Sequence, residues 1–119
     1  MMKETIDTII KWHKQVFPDA TLSGQLTKYA EETNEFMNAD EDNDLLELAD
    51  MVIVCAGIQR FSKKLGRVFL QNTYIIASEY ERDMTELWEA VDKKMEKNRK
   101  RVWNKTDNGN YHHENGVED

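Results

Sequence analysis

An all-α helical bundle of four to five helices is the fold class this sequence predicts, and three observations carry the prediction. Apolar residues recur at intervals of three and four along most of the chain, the period of a helix and not of a strand. Proline occurs once, at Pro18, and only five glycines interrupt the 119 residues. The stretch from Leu45 to Phe61 carries Leu45, Leu46, Leu48, Met51, Val52, Ile53, Val54, Cys55 and Ile58 in almost every direction around a helix. A helix apolar all round belongs at the centre of a core, with the others packed about it.

Ile6, Ile9, Ile10, Val16 and Phe17 mark a first helix that ends before Pro18, whose ring is excluded from a helix interior. Asp19 to Gly24 reads as a turn, with Ser23 as N-cap of a second helix. That helix sets Leu22, Leu26, Tyr29, Ala30, Thr33, Phe36 and Met37 on one side and meets the acidic run Asp40 to Asp44. The central apolar helix follows over Leu45 to Phe61, with Gly66 expected to end it or to lie just beyond its end. Arg67 to Ser78 is ambiguous between a short helix and an ordered insertion. Tyr80, Met84, Leu87, Trp88, Val91, Met95 and Val102 mark the last helix. From Asn104 to Asp119 the chain is rich in Asn, Gly and charge and reads as a mobile tail, leaving one domain over residues 1–103.

Charged residues make up 33% of the chain and the net charge is -7. A diffuse acidic balance argues against a nucleic acid polymer as partner, since phosphate backbones need a basic face. It allows a small phosphorylated substrate, because clustered acids hold cations that in turn hold phosphate. Cys55 is the sole cysteine, so no intrachain disulfide is possible. The start of the chain is too polar for a secretory signal or a membrane span, which makes the cytoplasm the expected compartment and excludes a membrane partner. A chain of this size leaves much surface exposed, and self-association is a natural supplement.

Three groups of residues carry chemistry. Glu31, Glu32 and Glu35 lie on the second helix, and Glu32 and Glu35 are neighbours on its surface. Glu47 and Asp50 repeat that spacing on the third helix, where Val54 falls between them in angle, so both emerge from an otherwise apolar surface. Burying unpaired carboxylates costs several kcal/mol and demands a basic partner, a shifted pKa or a metal. Helices joined by a short acidic turn run antiparallel and would bring the pairs face to face, an all-oxygen site suited to Mg²⁺ or Mn²⁺. The plainer readings are a solvated face for the first group and a buried Lys or Arg beside the second. Lys94, Asn98 and Arg101 continue the apolar stripe of the last helix as polar groups on one face. They suit phosphate, the acids, or a base or sugar, unless they are simply a solvated helix end.

In order and spacing, Glu31-Glu32-x-x-Glu35, Glu47-x-x-Asp50 and Lys94-x-x-x-Asn98-x-x-Arg101-x-Trp103 resemble the MazG-like all-α nucleoside triphosphate pyrophosphohydrolases, from about Leu22 to Trp103. The resemblance implies Glu32, Glu35, Glu47 and Asp50 as metal ligands and Glu31 as an auxiliary acid. It also implies Lys94, Asn98 and Arg101 as nucleotide contacts, with Lys28 helping at phosphate. It further implies a bundle completed by association into a homodimer or homotetramer. Trp12, the Phe17-Pro18 break and the Arg101-x-Trp103 ending are most similar to the phage and bacterial branch associated with dATP and dGTP.

The function that follows is Mg²⁺-dependent cleavage of a nucleoside triphosphate, with a deoxynucleotide expected, into monophosphate and pyrophosphate. No Ser or Cys nucleophile motif competes with that reading. Its alternatives are a phosphoribosyl-ATP pyrophosphohydrolase and a non-catalytic helical module that binds nucleotides or a partner. Asp40, Asp42 and Asp44 mimic the start of a calcium loop, but Leu45 stands where glycine is needed and Met51 where the last acid is needed. His112 and His113 lack nearby cysteines and are incidental, and Trp12 and His13 read as core and edge, with stacking of Trp12 on a base as the alternative.

Overall fold

The computed structural model describes residues 3–105 and 111–113, which form five helices followed by a two-stranded ribbon. Helix α1 (Ile6–Val16) opens at Thr5, whose hydroxyl accepts the Thr8 N–H while the Thr8 hydroxyl accepts that of Thr5. The reciprocal bonds satisfy donors that a helix start otherwise leaves orphaned. Helix α2 (Leu22–Asn38) is capped by Thr21, which accepts the Gly24 N–H at 3.0 Å. The cap thus precedes the expected Ser23, because Leu22 is already helical and packs on the core.

Helix α3 (Asp44–Phe61) is the hub of the bundle and packs against α1, α2 and two later helices, α4 (Lys63–Glu79) and α5 (Met84–Lys100). Residues 51–58 are buried without a break, so this stretch of the helix has no solvent face, as its all-round apolar sequence requires. Between α2 and α3 the Asp40 carboxylate accepts the N–H groups of Asp42 and Asn43, making the acidic run a tight turn.

Two boundaries are built otherwise than expected. Helix α3 stops at Phe61, and the stop is made by Ser62 and not by Gly66, because Ser62 turns extended (φ -144°, ψ 103°) and its hydroxyl caps α4 by accepting the Leu65 N–H. Gly66 is instead buried inside α4. A Cβ there would lie 2.6 Å from the Gln59 nitrogen and 2.7 Å from its Cα, so the missing side chain lets α4 fold back tightly on α3. The ambiguous segment Arg67 to Ser78 is wholly helical within α4. Its exposed Val68 and Ile75 blur the apolar period, while Thr73 and Ala77 are fully buried. At the other end Tyr80 terminates α4 and packs edge-on against Phe36, outside the last helix to which the stripe assigned it. Glu81 adopts a left-handed φ of 59°, and Asp83 caps α5 through a reciprocal pair with Glu86.

Helix α5 buries Leu87, Val91 and Met95 completely and ends at Lys100, so Val102 lies outside it and is exposed. Strand β1 (Trp103–Lys105) then pairs antiparallel with β2 (Tyr111–His113), Trp103 facing His113. Of the tail expected from Asn104, residues 106–110 and 114–119 lie outside the described residues. Among the described residues no helix is long and apolar enough to cross a membrane.

Candidate functional site

Side chains from α1, α2, α3, α5 and β1 converge on a cleft of about 660 Å³. Helix α2 contributes Gln25, Lys28, Glu32 and Glu35, at steps of three and four that hold them on one face. Helix α3 contributes Glu47, Asp50 and Val54, α5 contributes Lys94 and Asn98, and Arg101 follows at its C-cap. The wall away from the acids is aromatic: Trp12, His13, Phe17 and Trp103.

The structure brings Glu32, Glu47 and Asp50 together, with one carboxylate oxygen from each within 4.8 Å of the others. Glu32 is 7% exposed, and its Oε1 is buried with no hydrogen-bond partner. Burial, with the Glu35 and Asp50 carboxylates beside it, pushes the Glu32 carboxyl up to about 9. Burial also raises Glu47, helped by Glu35, and pushes Asp50 up to about 6 despite the Lys94 ammonium 3.3 Å from its Oδ2. A basic partner for the α3 acids was the plainer reading, and Lys94 is that partner for Asp50. It does not balance the cluster, because all three carboxyls still titrate high. What the group lacks is positive charge.

Glu35 lines the cleft outside that trio, near enough to raise its neighbours. Glu31 does not line it; its side chain is 55% exposed and lies 3.8 Å from the Lys28 ammonium, which is also 3.7 Å from Glu32. The Asn98 amide oxygen accepts from Arg101 at 3.1 Å and its backbone carbonyl accepts the Trp103 indole N–H at 3.1 Å. The end of α5 is thereby tied to the aromatic wall. In that wall Phe17 meets Trp12 and Trp103 edge to face, each at 5.2 Å between ring centroids. The Arg101 guanidinium stands 5.8 Å from the Trp103 ring centre.

Gln25, Asn34, Asn38 and Asn43 line the cleft with no role assigned from the sequence, and His13, expected at an edge, is instead buried and lines it too. Carrying the acidic face of α2 back by one turn from Lys28 reaches Gln25, a signal that was present. His13 has no such signal, since its place depends on how α1 meets α3.

No protein-family model matches the chain, and no curated protein does. Among solved structures, the cyanophage S-2L MazG-like pyrophosphohydrolase bound to dGDP and three catalytic Mn²⁺ ions per active site is similar to it. The similarity covers 98% of this chain and 100% of that one at 26% identity, with a TM-score of 0.41. At that score the superposition is loose, and the chemistry of the cleft rests on the cleft's own residues.

Proposed function

We propose that the protein is a nucleoside triphosphate pyrophosphohydrolase. It cleaves a triphosphate, preferably of a deoxynucleoside in the cytoplasmic pool, between the α and β phosphates to give the monophosphate and pyrophosphate. The observation that carries this reading is the orphaned, buried Oε1 of Glu32, set within 4.8 Å of oxygens from Glu47 and Asp50. Three hard oxygen donors with raised proton affinity and too little neighbouring positive charge fit a divalent cation such as Mg²⁺ or Mn²⁺. Glu32, Glu47 and Asp50 would hold it, with Glu35 beside them.

When bound, the metal supplies charge neutralisation for the triphosphate and a more acidic water. The chain's own residues do the rest. Lys94 keeps Asp50 anchored, and Lys28, held by Glu31 and Glu32, offers an ammonium to phosphate. Arg101 and Asn98 reach the nucleotide between the acids and the aromatic wall, and Trp12, Phe17 and Trp103 enclose the base. Among the described residues lining the cleft none is Ser, Thr or Cys. The Cys55 thiol is buried and pushed up to about 12. Water is therefore the attacking group: its oxygen forms the new P–O bond as the bond to the departing pyrophosphate breaks.

Association into a dimer or a pair of dimers belongs to the same proposal, and the exposed Leu65, Val68 and Ile75 of α4 support it. Pyrophosphate release from ribo- and deoxynucleoside triphosphates with Mg²⁺, for wild type and Glu47→Gln in parallel, tests the function. We expect release that falls at least about a hundredfold in the variant. Silence of the wild type across the panel would end the proposal.

A further inference from the structure

We infer that Gln25 reads the base of the bound nucleotide as a hydrogen-bond donor, that Arg60 acting through His13 sets this polarity, and that the cleft therefore selects 6-oxopurines over adenine. The inference rests on the cleft being a nucleotide site.

Arg60 projects from α3 to the end of α1. Its NH1 lies 3.0 Å from His13 Nδ1 and 2.7 Å from the Phe17 carbonyl, and its NH2 lies 3.3 Å from the Pro18 carbonyl. A guanidinium has only donors, so His13 Nδ1 accepts and the ring's single proton sits on Nε2. That nitrogen lies over Gly57, where an added Cβ would be 3.0 Å away, and the same Cβ would collide with Gln25 Oε1. Nε2 and Oε1 thus share the space above one glycine, and the Gln25 oxygen accepts the histidine N–H. Burial and the Arg60 charge hold His13 down to about 4, so the ring stays neutral and its tautomer fixed.

A glutamine amide is ordinarily free to present either end. Here its oxygen is committed to His13 and packed against α3, so the end left for a ligand in the cleft that Gln25 lines is the amino group. An adenine edge alternates an acceptor, N7, with a donor, the 6-amino group, and a glutamine matches it only with both its oxygen and its nitrogen. Guanine and hypoxanthine present two acceptors, O6 and N7, and suit a donor-only amide. Against adenine such an amide keeps N7 as an acceptor but meets a donor at the 6-amino group, a penalty of roughly tenfold to a hundredfold.

The test compares kcat/KM for dGTP, dITP and dATP with Mg²⁺ in wild type and Gln25→Glu, beside equilibrium binding of dGMP and dAMP in EDTA followed by tryptophan fluorescence. Wild type should favour dGTP and dITP alike over dATP by at least about tenfold, and Gln25→Glu, which exchanges donor for acceptor, should erase or invert that ratio. Equal use of dATP, dITP behaving like dATP, or equal loss on all substrates in the variant would overturn the inference. Should no triphosphate be hydrolysed while dGMP still outbinds dAMP in a Gln25-dependent way, the hydrolase reading fails and this one stands. Absence of both hydrolysis and binding overturns both.

Discussion

Lys94 lies 3.3 Å from Asp50, yet burial still leaves the Asp50 carboxyl near 6, and Glu32, farther from any ammonium, reaches about 9. A group raised that far carries its proton at pH 7. Glu32→Gln should therefore change metal-free stability by less than about 1 kcal/mol at pH 7 in urea unfolding, while abolishing any rise in melting temperature on adding Mg²⁺. A loss of several kcal/mol without metal would mean that Glu32 serves as a structural partner and not as a ligand. At this scale the sequence was informative where chemistry follows helical spacing. Glu32 with Glu35, Glu47 with Asp50, and Lys94 with Asn98 and Arg101 were legible because three- and four-residue steps place side chains on one face. The Arg60–His13–Gln25 chain was not, because its members meet only through the packing of three helices.

Single backbone positions decide where elements begin and end, and two of them respond oppositely to small changes. Gly66→Ala should destabilise the fold by roughly 1–3 kcal/mol, because the new methyl meets the Gln59 backbone where α4 crosses α3. Glu81→Gly should stabilise it by up to about 1 kcal/mol, since Glu81 holds a left-handed φ of 59° just after α4. Denaturant midpoints of the two variants check both signs, and a neutral Gly66→Ala would show that α4 shifts at little cost. The role of this glycine is hidden in the sequence. Glycine after an apolar run suggests a helix terminus, but here its lack of a side chain serves a close crossing and Ser62 makes the break. The ambiguity of residues 67–78 has a related cause, for exposed Val68 and Ile75 hide the face that Thr73 and Ala77 bury.

For the molecule as a whole, the perturbations of Glu32 and His13 oppose each other in pH. Glu32 is raised in the fold, so its contribution is full below about 4.5 and is lost as pH rises toward 9; His13 is lowered, so its contribution is full above about 6.5 and is lost as pH falls toward 4. A bound divalent ion must displace the Glu32 proton, so the Mg²⁺-induced rise in melting temperature should grow steadily from pH 6 to pH 9 in a thermal scan. An increment indifferent to pH would remove Glu32 from the ligand set. The hub position of α3 was legible from its all-round apolarity, and the convergence of α1 and β1 on one wall was not, since aromatic residues at chain ends carry no period. That wall is tethered to α3 at Arg60, while the acids leave the same helix at Glu47 and Asp50. From residue 50 to residue 60 a helix rises about 15 Å without a joint. Helix α3 is thus a rigid calliper, with one jaw of acids and one of aromatic rings. On the proposed function, a triphosphate long enough to touch both would be gripped at each end and its monophosphate product by a single jaw, so cutting the chain of phosphates would itself loosen the product.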